Sequence, residues 1–211
     1  MSELEKMMYE MFAEVYYERI YKTYLQNEIR TTETTQCLTK SFFQRKIPRM
    51  LLEPKMVVLS FGTLIHEGLR KPLQKRGYKT EEEGTYPIKD VTLYAHTDAL
   101  GKDHTLEFKT ISRMPHDPLS HHVLQDNAYN FVFDRPIGYL VYIHKPSGLV
   151  RCFPVPKRED QFQYVCLRAL RLSIHLKSNV MPIPEPSWLC YVCEYTDLCS
   201  NPLKKMRKKW V

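Results

Sequence analysis

The segment Ala95-His96-Thr97-Asp98-Ala99-Leu100 is followed closely by Leu106-Glu107-Phe108-Lys109-Thr110. On a strand, Glu107 and Lys109 are two residues apart and project from the same face. A tight turn at Gly101–His104, centred on Lys102-Asp103, sets Asp98 opposite Glu107 on that face. Two carboxylates converging beside one ammonium repel each other unless a cation lies between them. Hard oxygen ligands with open water positions suit Mg²⁺ or Mn²⁺. Such a cation lowers the pKa of a bound water and neutralises a scissile phosphate, while a lysine orients the water. The plainer alternative is a surface strand with an ordinary cross-strand Glu–Lys–Asp arrangement. His66, with Glu67 beside it, sits on a helix before the strands and could add an imidazole ligand. Gln125 and Tyr129, one helical turn apart, could contact a phosphate or a base. His96 would face the same side as Lys109, as a second metal ligand or as a plain strand residue, and the latter is preferred.

A second constellation lies near the C-terminus. Of six cysteines, three form the run Cys190-x2-Cys193-x5-Cys199 beside Trp188 and Tyr191, and Cys37 is the best-placed fourth ligand. Four thiolates suit a zinc ion or an iron–sulfur cluster, and spacing does not separate the two. Cys152 in a strand and Cys166 on an apolar helix position read as small hydrophobes.

These residues need elements to position them. Met8, Met11, Phe12, Val15, Tyr16, Ile20 and Tyr24 recur at helical steps, which predicts a packing helix over the first 28 or so residues. Thr31–Thr35 is expected to break it, and a second short helix to carry Cys37, Phe42 and Phe43. Ser60 is expected to cap a helix through Leu64, Ile65 and Leu69 that Pro72 kinks or ends. Strands are expected at Tyr86–Leu93, Tyr94–Leu100 and Thr105–Ile111. Asp117-Pro118 starts a helix bearing Leu124, Gln125, Ala128, Tyr129 and Val132. A hairpin of Ile137–His144 and Leu149–Val155 follows, then a helix over 159–177 and an extended stretch Met181–Ser187 containing three prolines. The expected fold class is α/β (α+β), a central mixed β-sheet flanked by helices. The expected divisions are an N-terminal helix (1–34), a core (35–180) that includes the first cluster cysteine, and a cysteine segment with a basic tail (181–211).

Composition bounds the function. With 43% hydrophobic and 26% charged residues, the chain can bury a sizeable core. No apolar run approaches the roughly 20 residues of a membrane helix, and the acidic N-terminus lacks a signal-peptide layout, so a cytoplasmic protein with no membrane partner is expected. Residues 1–30 carry six acids against four bases, and the rest 27 bases against 18 acids. With Lys204, Lys205, Arg207, Lys208 and Lys209 near the C-terminus and a pI near 9.0, this surplus suggests a polyanionic partner.

The order Cys37, His66, Asp98, Glu107-x-Lys109, Gln125-x3-Tyr129, Cys190/Cys193/Cys199 resembles the RecB-type exonucleases of the PD-(D/E)xK superfamily. More narrowly, it resembles the CRISPR-associated nucleases with an iron–sulfur cluster that act alongside the spacer-integration machinery. The resemblance spans roughly residues 35–200. It implies a restriction-endonuclease-like core, with His66, Asp98 and Glu107 binding Mg²⁺ or Mn²⁺ and Lys109 assisting hydrolysis. Gln125 and Tyr129 match the family's QxxxY motif near the DNA path. It further implies that Cys37, Cys190, Cys193 and Cys199 hold a [4Fe–4S] cluster, with [2Fe–2S] or zinc as alternatives. Ala95 and His96 depart from the glycine that related sequences often carry. The implied activity is exonucleolytic cleavage of single-stranded DNA ends, with the CRISPR integrase complex as partner, and a homo-oligomer is left open. The rival readings are a non-catalytic DNA-binding module stapled by zinc or a cluster, a helicase-associated repair exonuclease, and a subunit active only within an integrase complex. No Gly-x4-Gly-Lys-Ser/Thr phosphate loop accompanies the motifs, so no motor domain is expected.

Overall fold

The computed structural model describes residues 2–18, 24–49 and 53–199. Ile20 and the basic cluster at 204–209 lie outside the described residues. Helix α1 spans Glu3–Glu18, and the chain re-emerges as strand β1, Glu28–Arg30, rather than continuing as the long helix expected. Thr31–Thr35 is itself a short helix, α2, and Cys37 immediately precedes α3, Leu38–Lys46, instead of lying inside it. Helix α4 runs unbroken over Glu53–Gln74. Ser60 is therefore an interior residue whose hydroxyl donates to Met56 O and Phe12 O, both at 3.0 Å, not a cap. Pro72 sits in the last turn of α4, where it ends the helix without kinking its middle.

Three strands follow: β2 Lys79–Ile88, β3 Val91–Leu100 and β4 His104–Ile111. The turn between the first two lies at Lys89-Asp90, where Lys89 takes a left-handed φ of 55°, so the expected break at residue 93–94 does not exist. Helix α5 is Ser120–Val132, β5 Ile137–His144, β6 Val150–Pro156 and α6 Glu159–Ser178, close to expectation apart from a later start for α5. Residues 180–187 form no helix or strand, and a 3₁₀ turn covers Trp188–Val192. The strands form one mixed sheet in the order β1-β3-β4-β5-β6, with β2 also paired to β3. β1 and β3 are parallel, as are β4 and β5, whereas β3–β4 and β5–β6 are antiparallel. No helix among the described residues is long and apolar enough to cross a membrane.

The described residues group into two compact units. The first comprises 2–18, 53–84 and 95–162. Its core has two parts: Ala99, Phe108 and Val141 pack with Leu69 and Leu73 of α4, and Leu140, Tyr142 and Val155 pack with Val123 of α5. That division follows from strand alternation, since Phe108 pairs with Val141 while Glu107 and Lys109 pair with Leu140 and Tyr142. The β4–α5–β5 crossover brings α5 close to the sheet, and Gly138 allows it. A Cβ there would meet Asp126 Oδ2 at 2.2 Å and Thr105 Oγ1 at 2.5 Å.

The second unit comprises 24–49, 85–94 and 163–199. Arg168, only 6% exposed, donates to Gln36 O at 2.6 Å, to Thr34 O and to Glu185 Oε2 at 2.8 Å. Glu185 Oε2 also accepts the Leu38 amide at 2.8 Å, and Thr39 Oγ1 donates to Pro182 O at 3.0 Å. This brace clamps the backbone on both sides of Cys37 to the proline-rich stretch.

Candidate active site and cysteine cavity

The hairpin between β3 and β4 has the register expected from its turn, with Ala99 opposite Leu106 and Leu100 opposite Thr105. Asp98 consequently ends beside β4, where its Oδ2 accepts the Phe108 amide at 2.8 Å. From α4, His66 Nδ1 approaches Asp98 Oδ1 to 3.1 Å. One strand over, Lys109 Nζ lies 2.7 Å from Glu107 Oε1. Helix α5 presents Gln125 to both: its Nε2 donates to Glu107 Oε1 at 2.9 Å, and its Oε1 accepts from Lys109 Nζ at 3.1 Å. Tyr129, one turn later, has its hydroxyl 2.6 Å from Gln125 Nε2. The QxxxY pair is therefore buried against Glu107 and Lys109, where it fixes their orientation.

Both carboxylates are buried, Asp98 at 6% and Glu107 at 4% exposure, unlike the surface strand of the plainer alternative. Burial, then the neighbouring Asp98 charge, pushes Glu107 up to about 7 against the pull of Lys109. Burial acts the same way on Asp98, but the His66 hydrogen bond and charge, Lys109 and the Phe108 amide outweigh it and hold Asp98 below the usual range. Burial alone would lower Lys109, and the charge and hydrogen bond of Glu107 reverse that and raise it. Glu107 Oε2 is buried without a hydrogen-bond partner. Of the three expected cation ligands, His66 and Asp98 bring donor atoms within 4.8 Å of each other, whereas Glu107 is not part of that close group; an imidazole with a carboxylate still fits a hard divalent cation.

Several residues at the site carried no sequence signal. Glu81 of β2 reaches His66 and Asp98, and its Oε2 lies 3.1 Å from His96 Nε2. His121 and His122, a pair at the start of α5, feel the Lys109 charge; burial first and that charge second push His122 down to about 2, so it is neutral. His122 Nδ1 shares a 2.8 Å hydrogen bond with the Tyr142 hydroxyl, which also accepts the Leu119 amide at 3.0 Å. Asp126 is fully buried, and burial followed by the Glu107 charge pushes it up to about 8. Only the adjacent histidines and the Asp126-Asn127 pair in the middle of the helix could have drawn attention beforehand.

In the second unit, Cys37, Cys190, Cys193 and Cys199 line one cavity of about 70 Å³. Phe43, Pro184, Leu189 and Tyr195 supply much of its apolar wall. Arg49 holds the segment from outside, donating to Asp197 at 2.7 and 2.8 Å and to Glu194 O at 2.7 Å. Tyr195 stacks on Phe43 at 5.6 Å between ring centroids. No three of the four sulfurs lie within 4.8 Å of one another. Cys166 is outside the cavity lining, and Cys152 is an exposed strand residue, not a packed hydrophobe.

The backbone as a whole has counterparts among solved structures. It resembles the crystal structure of SSO0001 with a TM-score of 0.74 and 21% identity, covering 92% of this chain and 95% of that one. It also resembles the alkaline exonuclease LHK-Exo from Laribacter hongkongensis, at a TM-score of 0.54 and 12% identity over 80% of this chain and 94% of that one. The chain has a fold found in a solved exonuclease. The same enzyme in complex with dAMP aligns with a TM-score of 0.52 at 12% identity, over 74% and 90% of the two chains. The sequence matches no protein-family model and no curated protein.

Proposed function

We propose that the protein is a divalent-metal-dependent DNA exonuclease acting on single-stranded ends. The observation that carries this reading is the buried convergence of Asp98, Glu107 and Lys109, with Glu107 Oε2 lacking any protein partner. A non-catalytic binder gains nothing from burying two carboxylates around one ammonium. The residues that would hold Mg²⁺ or Mn²⁺ are His66, Asp98 and Glu107. When bound, the cation supplies a water acidic enough to attack at neutral pH and offsets charge on the phosphate. Lys109 stays protonated, held by Glu107 and Gln125, and from there orients the attacking water or meets the phosphate oxygen. Gln125 and Tyr129 keep that lysine from swinging away. The fold is shared with LHK-Exo, an alkaline exonuclease that has been solved with dAMP, which is in keeping with a nucleic-acid substrate.

Cys37, Cys190, Cys193 and Cys199 hold a [4Fe–4S] cluster in this reading. The four cysteines lining one cavity support a shared metal centre, and its role is structural, since the brace around Cys37 is remote in chemistry from hydrolysis. In this reading the protein trims spacer precursors in CRISPR adaptation, in the cytoplasm beside the integrase complex, a role suggested by the resemblance of its ordered motifs. The decisive experiment offers linear single-stranded, linear duplex and circular single-stranded DNA with Mg²⁺, Mn²⁺ or EDTA. Loss of the linear single strand from its end, only with metal, is expected. Cleavage in EDTA, or equal cleavage of the circle, would overturn the assignment.

A further inference from the structure

Three ligand-bearing side chains from three separate elements meet in the first unit. A ring nitrogen of His66 on α4, a carboxylate oxygen of Glu81 on β2 and one of Asp98 on β3 all lie within 4.8 Å of one another. Among the described residues this is the group of three that meets so closely. The three share a small cleft with Arg70, Thr80 and Phe108. Two carboxylates this close repel each other unless a proton or cation sits among them. An imidazole with two carboxylates is a mixed nitrogen and oxygen set, which suits Mn²⁺ better than Mg²⁺.

Glu81 has a second distinction. Its φ is 58°, a left-handed conformation inside a strand, in a residue whose long side chain does not relieve it locally as Asn or Asp would. Such a residue persists only where its surroundings hold it, and that pattern is concentrated at functional sites. The alternation of β2 is broken at this point, and the Glu81 carboxylate ends between the His66–Asp98 pair and His96.

We propose that Glu81 is a ligand of the divalent cation alongside His66 and Asp98, with His96 as the positioning residue that steadies its carboxylate. This rests on the nuclease reading, because Glu81 is placed in that same metal site. It also gives His96 a task other than direct ligation of the cation. The metal preference follows from the donor set: Mn²⁺ binds more tightly than Mg²⁺.

The test titrates anaerobically purified protein, stripped of divalent cations, with Mn²⁺ and reads the free ion by electron paramagnetic resonance. Glu81→Gln should weaken Mn²⁺ binding by roughly tenfold or more, and Asp98→Ala should abolish it. His96→Ala should weaken it less, and His96→Gln should restore part of the loss. Without Mn²⁺, Glu81→Gly should melt at or above the wild-type midpoint, since glycine accepts the left-handed conformation, yet gain less from added Mn²⁺. Wild-type Mn²⁺ affinity in Glu81→Gln, with Asp98→Ala unable to bind, overturns this proposal and leaves the nuclease reading standing. Wild-type affinity in both variants overturns the metal site itself. A metal-free Glu81→Gly chain melting well below wild type makes Glu81 a structural residue and also overturns the proposal.

Discussion

The two oxygens of Glu107 have different fates: Oε1 is taken by Lys109 and Gln125, and Oε2 is bare. Glu107→Gln should therefore keep the fold and lose cleavage, measured as the single-turnover rate at saturating Mn²⁺. Lys109→Ala should leave DNA affinity nearly unchanged and slow the chemical step by roughly a hundredfold, the scale of losing a positioned electrostatic or acid–base group. A parallel fall in affinity would make Lys109 a phosphate contact only. Asp126 gives a pH signature of its own. Its folded-state pKa of about 8 lies above the usual 3.8, so the folded chain binds the extra proton between those values and stability falls as pH rises through that window. Asp126→Asn should flatten the decline, seen as a midpoint that changes less than wild type between pH 5 and about pH 9. Asp98, Glu107, Lys109, Gln125 and Tyr129 were legible because strand and helix spacing encode shared faces. Glu81 was not: a glutamate in the run Glu81-Glu82-Glu83 looks solvated, and its role depends on one backbone angle no spacing reports.

Helix α5 is the element on which the site's geometry turns, and it rests on the missing side chain of Gly138. Gly138→Ala puts a methyl within 2.2 Å of Asp126 Oδ2, against the sheet and helix at once. The helix must lift, costing about 1–3 kcal/mol as overpacking does, and Gln125 should lose its grip on Lys109. Urea unfolding and cleavage rates should fall together in this variant; a destabilised chain with an unaltered rate would separate α5 from the chemistry. Periodicity located β5, β6 and α6 well because each is long and bounded by proline or turn residues. It missed β1, three residues long, and misplaced the β2–β3 turn because Lys89-Asp90 contains no glycine to announce it. Ser60 misled for a related reason: its hydroxyl finds carbonyls within and beside α4, an option a serine has in mid-helix as readily as at a cap.

At the scale of the whole chain, the cysteines were legible only as a run plus one outlier. That Cys37 lines the same cavity as Cys190, Cys193 and Cys199 is decided by the Arg168–Glu185 brace, for which no local motif exists. Arg168→Met should lower the thermal midpoint and reduce the cysteine-bound metal recovered per chain. The loss should stay below the roughly 3–5 kcal/mol of a fully buried pair, because Glu185 keeps some water. Cys37→Ser should remove the metal without undoing the brace, whereas Cys152→Ser should change neither. Every contact in the brace joins oxygen or nitrogen, with sulfur in none of them: a guanidinium, a carboxylate, an amide, a hydroxyl and three carbonyls. On the proposed cluster reading, the scaffold can thus form during synthesis and wait to be loaded later with iron and sulfide. Chains made under iron starvation should accumulate folded, colourless and fillable, a reserve of protein that is converted to its mature form by supply of the inorganic core alone.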